Sequence, residues 1–442
     1  MAASPHDSQL YAKLFNPGEI GRLFTDSAEI RAMLLVEGTL AKVQGAAGVI
    51  PEISAAFIHR AALEIPLDPG GMAEATGRNG VPVPALVAAF RKAMEAPEHA
   101  QYLHWGATSQ DIMDTALMLR LRQALALFHD GLSALLSDLA TLAETHAELP
   151  MPGRTYGQHA TPVSFGAQVA HWGFPLIDLR TELATIRESL PVSLSGAAGT
   201  GSELGPDPAA LRADLARALG LTDPERSWHA DRSPLLRITA WLARLTAALA
   251  KMGEDLILAT QSGIGEIRLG TSGGSPTMPQ KQNPVGPSAL VALAAQVNAL
   301  NGAMLAAGHP RQERDGAAWF TEWLTLPQLT LSAASALETA RTLAPALTPD
   351  AEAMRAALND SRGLLHAEAL SFRLAAHMPR PEAQAAVKQA CLRARDENRH
   401  LAEIATETWP EIDTRDIFDP VSALGTAPQE ARLFAKKARQ AA

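Results

Sequence analysis

Residues 274 to 284 read Gly-Ser-Pro-Thr-Met-Pro-Gln-Lys-Gln-Asn-Pro and hold the side chains best suited to chemistry. Glycines precede this segment, prolines interrupt it, and a run of Ala, Leu and Val follows it. The pattern therefore predicts a mobile loop that leads into a helix. Ser275 could transfer a proton, while Lys281 and Asn283 could hold a carboxylate near the free N–H groups of the helix start. The alternative is a solvated linker that happens to contain a lysine.

A second polar segment, His-Trp-Gly-Ala-Thr-Ser-Gln-Asp, occupies residues 104 to 111. Thr108 and Ser109 stand where a helix is predicted to start, so their hydroxyls could either contact a bound anion or cap the helix. His104, at the beginning of the segment, is a further candidate for substrate binding. The residue types alone leave both roles of the hydroxyls open.

A third segment, residues 153 to 162, reads Gly-Arg-Thr-Tyr-Gly-Gln-His-Ala-Thr-Pro. It concentrates the cation of Arg154, the amide of Gln158 and the imidazole of His159 before a helix that a proline is predicted to open. A single histidine in a loop is more often a hydrogen-bonded structural residue, but these neighbours favour a catalytic role for His159. We therefore predict a loop here that binds substrate.

A fourth segment, Trp-His-Ala-Asp-Arg-Ser, covers residues 228 to 233 and again stands before a predicted helix. The guanidinium of Arg232 could clamp a substrate carboxylate through two parallel hydrogen bonds, or it could simply pair with its neighbour Asp231. The sequence does not decide between these two.

Cofactor signals are weak. The glycine-rich stretch at residues 195 to 201 has no strand before it and no suitable acidic residue after it, which argues against a dinucleotide site. The 13 histidines include no pair spaced for a metal on one helix face. We therefore expect neither a metal nor an organic cofactor.

Composition limits the possible partners and compartments. The 442 residues include 47 acidic and 38 basic ones, without a cluster of lysine or arginine, so nucleic acid is not an expected partner. Cys391 is the only cysteine, which excludes an intrachain disulfide and fits a reducing cytoplasm. The start of the chain lacks the pattern of a signal peptide, and charged residues interrupt the long apolar stretches. We expect a soluble cytoplasmic protein with no membrane association.

Almost every stretch between the loops is predicted to be helical, so the fold class is all-α with a long central helical bundle. The segment that starts at Ser109 is apolar around its whole circumference and must be covered on all sides, which favours packing against other subunits. We predict a homo-oligomer with three regions in each chain: a small helical domain at 1–106, the long-helix bundle at 107–348, and a small helical domain at 349–442. The predicted long helices are Thr25–Val49, Ser109–Ala147, Pro162–Ser189, Ser233–Gly263 and Pro284–Ala307.

Taken together, the four polar segments resemble those of the fumarase/aspartase superfamily, and the likeness extends over about residues 10 to 430. Arg314 and the run Glu-Trp-Leu-Thr-Leu-Pro-Gln-Leu at residues 322 to 329 add to it. The resemblance implies a homotetramer with a central bundle of twenty helices, active sites that take loops from three subunits, and no metal or organic cofactor. It also implies that Arg314 contacts a small dicarboxylate or tricarboxylate substrate.

Two residues depart from the usual superfamily pattern. Pro276 replaces a serine in the mobile loop, where it stiffens the backbone and removes an N–H donor. Tyr156 replaces a histidine, which resembles the cycloisomerase branch of the superfamily more than adenylosuccinate lyase. The main expectation is therefore a cycloisomerase, which closes a lactone within one substrate molecule. A fumarate-releasing lyase and a non-catalytic helical scaffold are the alternatives.

Proton transfer at a carbon next to a carboxylate develops negative charge, so the site must supply cations and N–H or O–H donors. Lys281, Asn283, Thr108, Ser109 and Gln158 are residues of the right type. For the proton itself, His159 is favoured because imidazole titrates near neutrality, whereas the superfamily resemblance favours Ser275. Both remain candidates for the catalytic acid or base.

Overall fold

The computed structural model describes residues 4–270, 273, 278 and 281–441, and it confirms the predicted all-α fold. Six of the described helices have more than 20 residues, and each of the five predicted long helices is among them with ends that differ by a few residues. In the described residues the α-helices are α1 (Asp26–Ala46), α2 (Glu52–Glu64), α3 (Ala73–Asn79), α4 (Val83–Met94), α5 (Pro97–Ala100), α6 (Ser109–Thr145), α7 (Phe165–Glu188), α8 (Pro208–Leu219), α9 (Ser233–Ala259), α10 (Val285–Ala307), α11 (Gly316–Leu343), α12 (Ala351–Asp360), α13 (Ala367–Ala375), α14 (Arg380–Asp396), α15 (Leu401–Thr408) and α16 (Ala427–Ala441).

Helix α6 is the longest described helix, and its 37 residues extend for about 55 Å at 1.5 Å per residue. Helix α11, with 28 residues, was not among the predicted long helices. Pro327 stands inside it and obscures the helical pattern in the sequence, because an internal proline normally ends or kinks a helix. The surrounding aromatic and aliphatic side chains supply tertiary packing that maintains the helix.

The prediction that residues 150 to 162 form an irregular loop is wrong. Strand β1 (Pro150–Thr155) pairs antiparallel with strand β2 (Gln158–Ser164), and a two-residue turn joins them. Both turn residues, Tyr156 and Gly157, have positive φ angles of 52° and 71°, as a tight hairpin turn requires. The prolines and the glycine in these short strands conceal the alternating pattern by which a hairpin is normally recognised. A second pair of two-residue strands joins β3 (Ile267–Arg268) to β4 (Thr348–Pro349).

The chain divides into two compact units. The first contains Met1–Gly131, Leu179–Ala247 and Ala292–Glu338, and the second contains Leu132–Asp178, Ala248–Val291 and Thr339–Ala442. Helices α6, α7, α9, α10 and α11 contribute residues to both units. The predicted division at 106 and 348 is based on a different criterion, the change between short and long predicted helices along the sequence. It remains a prediction.

Each unit has a buried apolar core. In the first unit, side chains of α1, α2, α4 and the first turns of α6 pack together, and Phe90 and Ile112 are completely buried. In the second, a smaller core joins α13, α14 and α15 through Leu370, Ala383 and Leu401. The apolar positions of these helices therefore fix the elements on which the polar segments are mounted.

Helices α6 and α10 are both long and apolar enough to cross a membrane by length and composition alone. Core helices of soluble proteins meet the same criterion, and α6 buries Phe128, Leu132 and Leu135 completely. Within the described residues, this burial accounts for part of the apolar character of α6.

Candidate active site

The start of α6 combines hydroxyls, free backbone N–H groups and one cation. Arg314 donates from Nη2 to the Thr108 hydroxyl at 3.1 Å and from Nε to Gln110 Oε1 at 2.8 Å. Ser109, the first residue of the helix, is half-buried beside them. A helix N-terminus with an adjacent guanidinium favours a negatively charged group. Three predicted substrate-binding residues, Thr108, Ser109 and Arg314, are thus found at one helix end.

Asp111 organises this helix start, and we did not predict it. Its buried carboxylate accepts hydrogen bonds from the backbone N–H groups of Thr108 (3.0 Å), Ser195 (2.9 Å) and Gly196 (2.9 Å). It also lies 2.8 Å from the ring Nε2 of His229. An acidic residue three positions after a threonine is a capping signal that could have identified it. Through Asp111 the glycine-rich turn is held against the start of α6.

His104 lies on the short loop before α6 and faces a buried acid. Its Nδ1 is 2.7 Å from Glu37 Oε1, and Glu37 is only 1% exposed. Burial opposes protonation of the imidazole, but the charge of Glu37, its hydrogen bond and the nearby Asp111 outweigh this and raise the pKa of His104. The imidazole is thus held as a cation over a wider pH range than a free histidine.

Arg232 does not have the role that the sequence suggested. Its guanidinium is buried, and it donates to Asp114 at 2.8 and 2.9 Å and to Glu322 at 2.7 Å through two nitrogens. Burial lowers the pKa of Arg232, but the two carboxylates raise it by more, so the pKa lies above its usual range. Four of its five N–H donors are engaged and the side chain is buried, so it cannot clamp a substrate carboxylate through two parallel hydrogen bonds. Pairing with Asp231 is also wrong, because that carboxylate pairs with Arg226.

Arg232, Asp114 and Glu322 form a buried ionic cluster with two carboxylates and one guanidinium. Burial and the charge of Asp114 raise the pKa of Glu322, although Arg232 opposes them. The cluster therefore joins α6, the residue before α9, and α11 within the first unit at a considerable cost in desolvation, which a good hydrogen-bond geometry offsets. It is a structural element beneath the helix start.

In the second unit, Arg154 is also engaged. It donates from Nη1 and Nη2 to Glu266 at 2.8 and 2.6 Å, and Glu266 is completely buried. This fork-shaped pair is strong and directional, so it fixes β1 to the segment before β3. Arg154 therefore positions the hairpin in this chain, and because its side chain stays partly exposed, its contact with a substrate remains a prediction.

The tip of the hairpin is open to solvent. Gln158 and His159 are exposed on β2, and the Tyr156 side chain between the strands is fully exposed. Among the described residues, none forms a hydrogen bond to the His159 ring. The hairpin thus presents an imidazole and an amide on a support that Arg154 and Glu266 hold in place.

The predicted mobile loop is described only at its base. Gly273 and Asn283 exchange two backbone hydrogen bonds of 3.1 and 2.9 Å, and Lys281 nearby is exposed. The side chain of Asn283 is half-buried just before α10. Ser275 lies outside the described residues, so its catalytic role stays a prediction.

The cavities among the described residues include two large ones and a small one of about 10 Å³, which is lined by Gln110, Arg232 and Arg314 beside the start of α6. One of about 570 Å³ lies in the first unit and is lined by Trp319, Trp323 and Arg120, yet it contains none of the predicted site residues. Another of about 500 Å³ lies in the second unit behind the hairpin, between Arg154, Glu266 and Lys251. Cavity size therefore does not identify the site, and we rely on the chemistry of the side chains. Within the part of the chain that the structure describes, no group of three or more His, Cys, Asp or Glu side chains could hold a metal.

Comparison with known proteins decides the family. A signature described as lyase matches residues 31–299. The chain is 37% identical over 434 residues to a 3-carboxy-cis,cis-muconate cycloisomerase of Pseudomonas aeruginosa, which covers 95% of this chain and 94% of that protein. The chain belongs to this lyase family. The predicted membership of the fumarase/aspartase superfamily is thereby confirmed.

The lyase also matches solved structures closely. The 3-carboxy-cis,cis-muconate lactonizing enzyme of Pseudomonas putida superposes with a TM-score of 0.92 at 34% identity, covering 98% of this chain and all of that one. A nitrosuccinate lyase of Streptomyces davaonensis is 35% identical over 428 residues, with 91% of this chain and 89% of that protein covered. These similarities extend over nearly the full chain of this lyase, including the start of α6 and the hairpin.

Proposed function

We propose that this enzyme is a cycloisomerase that converts 3-carboxy-cis,cis-muconate into a carboxymuconolactone. The observation that carries the proposal is the start of α6, where Arg314 lies against the Thr108 hydroxyl next to Ser109, an arrangement suited to binding a carboxylate. Several relatives and a solved structure of similar length bear this activity in their names. Tyr156, in the position where a fumarate-releasing lyase usually has histidine, agrees with it.

In the reaction, a carboxylate oxygen adds to an inner carbon of the conjugated diene and closes a five-membered ring. A carbon–oxygen bond forms, the π electrons move onto the carbon next to another carboxylate, and that carbon then takes up a proton. Charge on the second carboxylate rises as the electrons arrive, so cationic and N–H donors there lower the barrier. Lys281 and Asn283 are suited to this, together with Thr108 and Gln158.

The proton comes from His159 or Ser275. His159 stands exposed on a fixed hairpin, as a group that must reach a substrate requires. Both reacting groups belong to one substrate, so the enzyme mainly folds the substrate and delivers one proton. Variants of each residue, described below, separate the two candidates.

We further infer that the working enzyme is a cytoplasmic homotetramer with shared active sites. The hydroxyl and arginine group belongs to the first unit, whereas the hairpin and the loop base belong to the second. Large apolar side chains on the long helices are exposed in one chain, among them Leu258, Leu305 and Leu324. Such side chains are typical of an interface between subunits. Packing several copies through these helices would cover them and supply the missing groups to each site.

The proposed function is tested by mixing the purified protein with 3-carboxy-cis,cis-muconate and following the absorbance of the conjugated diene. The expected result is a loss of absorbance with appearance of a lactone, identified by nuclear magnetic resonance. An unchanged absorbance under conditions in which a related cycloisomerase is active would contradict the proposal. Release of fumarate from adenylosuccinate would favour the alternative within the superfamily.

A second candidate is a lyase that acts on nitrosuccinate, favoured by the 35% identity to the Streptomyces protein of that name. Nitrosuccinate is a smaller dicarboxylate, and the start of α6 could bind one of its carboxylates as well. Comparing kcat/KM for the two substrates in one preparation decides between them, and we expect the diene to be preferred.

A further inference from the structure

Glu37 is a buried acid with an unusual environment. It lies in the middle of α1 and is 1% exposed, and its Oε1 contacts His104 at 2.7 Å. Its other oxygen, Oε2, is buried and has no hydrogen-bond partner within the described part of the chain. A buried carboxylate in this state is costly unless a cation is beside it. The stability of α1 alone does not require an acid there, since most of its buried positions are apolar.

The loop that carries His104 is fixed on both sides of that residue. Gln44 donates to the backbone oxygen of Trp105 at 2.8 Å, and Arg91 donates to that of Leu103 at 2.9 Å. His104 itself has a φ of 62°, which few residues other than glycine adopt. Strain of this kind persists only where surrounding contacts enforce it, and it is frequent at functional sites. The imidazole is therefore held in one place.

Gly106 explains why this loop cannot relax. Its φ is 72°, and a Cβ atom at this position would lie 2.3 Å from the backbone oxygen of Glu203. Only glycine fits this close approach. The segment from His104 to the start of α6 is thus built with tight backbone contacts.

Three charged groups from different helices act on the imidazole. Glu37 of α1 and Asp111 of α6 favour its protonated form, whereas Arg91 of α4 disfavours it. With Nδ1 committed to Glu37, Nε2 is the remaining ring donor. The side chain retains 19% of its exposure, so a ligand can reach it.

We propose that Glu37 is a positioning residue that holds His104 as a cationic binding group for one carboxylate of the substrate. This inference rests on the proposed function, since it assigns His104 to a tricarboxylate that also meets Thr108 four residues later. A substrate with three negative charges gains from each cation that is already oriented before it arrives. Glu37 does not touch the substrate and acts only through His104.

The test compares Glu37→Gln with Glu29→Gln, a matched change in the same helix outside the site. KM is measured between pH 6 and 9, and the His104 ring is titrated by carbon-13 resonance in histidine-labelled protein, with His104→Gln used for assignment. We expect Glu37→Gln to raise KM by about tenfold near neutral pH with kcat little changed, since a charge-assisted hydrogen bond is lost. His104 should then lose its proton at lower pH than in the wild type. Glu29→Gln should resemble the wild type in both measurements.

If KM and the His104 titration in Glu37→Gln match those of the wild type, the proposal is wrong. Should this variant fail to fold, Glu37→Asp keeps the charge but draws it back from the ring, and it should shift the titration in the same direction by a smaller amount. A wild-type enzyme that does not convert the diene would overturn the proposed function and the substrate assignment. The ring titration would in that case still decide whether Glu37 controls the charge of His104.

Discussion

The start of α6 and the hairpin formed by β1 and β2 show two ways of mounting polar side chains. At the helix start nearly every polar group is bonded within the first unit, with Asp111 accepting from the glycine-rich turn and Arg314 donating to Thr108. At the hairpin, Arg154 binds Glu266 from the position directly opposite His159, and the side chains of the tip are exposed. The polar groups of the first region are therefore held in place within one chain. In the second region the side chains of Gln158 and His159 are exposed, so they could contact a substrate or another subunit.

His159→Asn tests the exposed region most severely. An amide keeps one hydrogen bond but cannot titrate, so kcat should fall by about a hundredfold to ten-thousandfold if the imidazole transfers the proton. The fold should be unaffected, because the side chain is exposed. Steady-state kinetics across pH give the measurement, and the limb due to imidazole should vanish from the profile. A raised KM with unchanged kcat and an intact limb would make His159 a binding group only.

Ser275→Ala addresses the other candidate. If this serine transfers the proton, kcat should fall by about a hundredfold or more while KM changes little. A variant that keeps more than roughly a third of the wild-type kcat would exclude that role, given the usual size of such effects. Thr277→Ala is a suitable control, because it removes a nearby hydroxyl from the same loop.

Arg232→Leu tests the bonded region through stability. Removing the guanidinium leaves Asp114 and Glu322 buried without their partner, and breaking such a cluster costs about 3–5 kcal/mol of unfolding free energy. Urea denaturation measures the change. Arg226→Ala, which removes an exposed ion pair with Asp231, should cost less than about 1 kcal/mol. Equal losses in the two variants would refute the structural role of Arg232.

A smaller effect is expected from the pH dependence of stability at His104. The imidazole pKa is raised in the folded chain, mainly by Glu37 against the effect of burial. Its stabilising contribution is therefore complete below the pKa of a free histidine and disappears as the pH rises through the higher folded value. The difference in unfolding free energy between the wild type and His104→Gln should shrink as the pH is raised above neutrality. A difference that is constant from pH 6 to 9 would contradict the raised pKa.

The sequence predicted the helices better than it predicted side-chain partners. Ser109 as the first residue of α6 and Ser233 as the first of α9 follow from local signals, namely polar capping residues before long apolar runs. Arg232 could not be assigned this way, because its partners Asp114 and Glu322 are about a hundred residues away in either direction. The residues next to Arg232 in the sequence do not indicate such distant partners.

The candidate site shows the same limit. The hydroxyls were identified from their segment and Arg314 from the family resemblance, and the structure brings Arg314 and Thr108 together. Glu37 was missed because an acid in the middle of a helix is ordinarily a solvated residue, and only the fold places it beside His104. The hairpin was missed because Tyr156 needs a positive φ that its residue type does not signal.

In the proposed homotetramer, the bonded region of one subunit and the exposed region of another form one active site. Mixing Thr108→Ala, changed at the helix start, with His159→Asn, changed at the hairpin, tests this arrangement after each variant is shown to be nearly inactive. Reversible dissociation and reassembly of the mixture should restore activity to about a quarter of wild type per site, since random assembly of subunits recreates intact sites. A mixture that remains as inactive as its two components, although mixed oligomers have formed, would contradict the account.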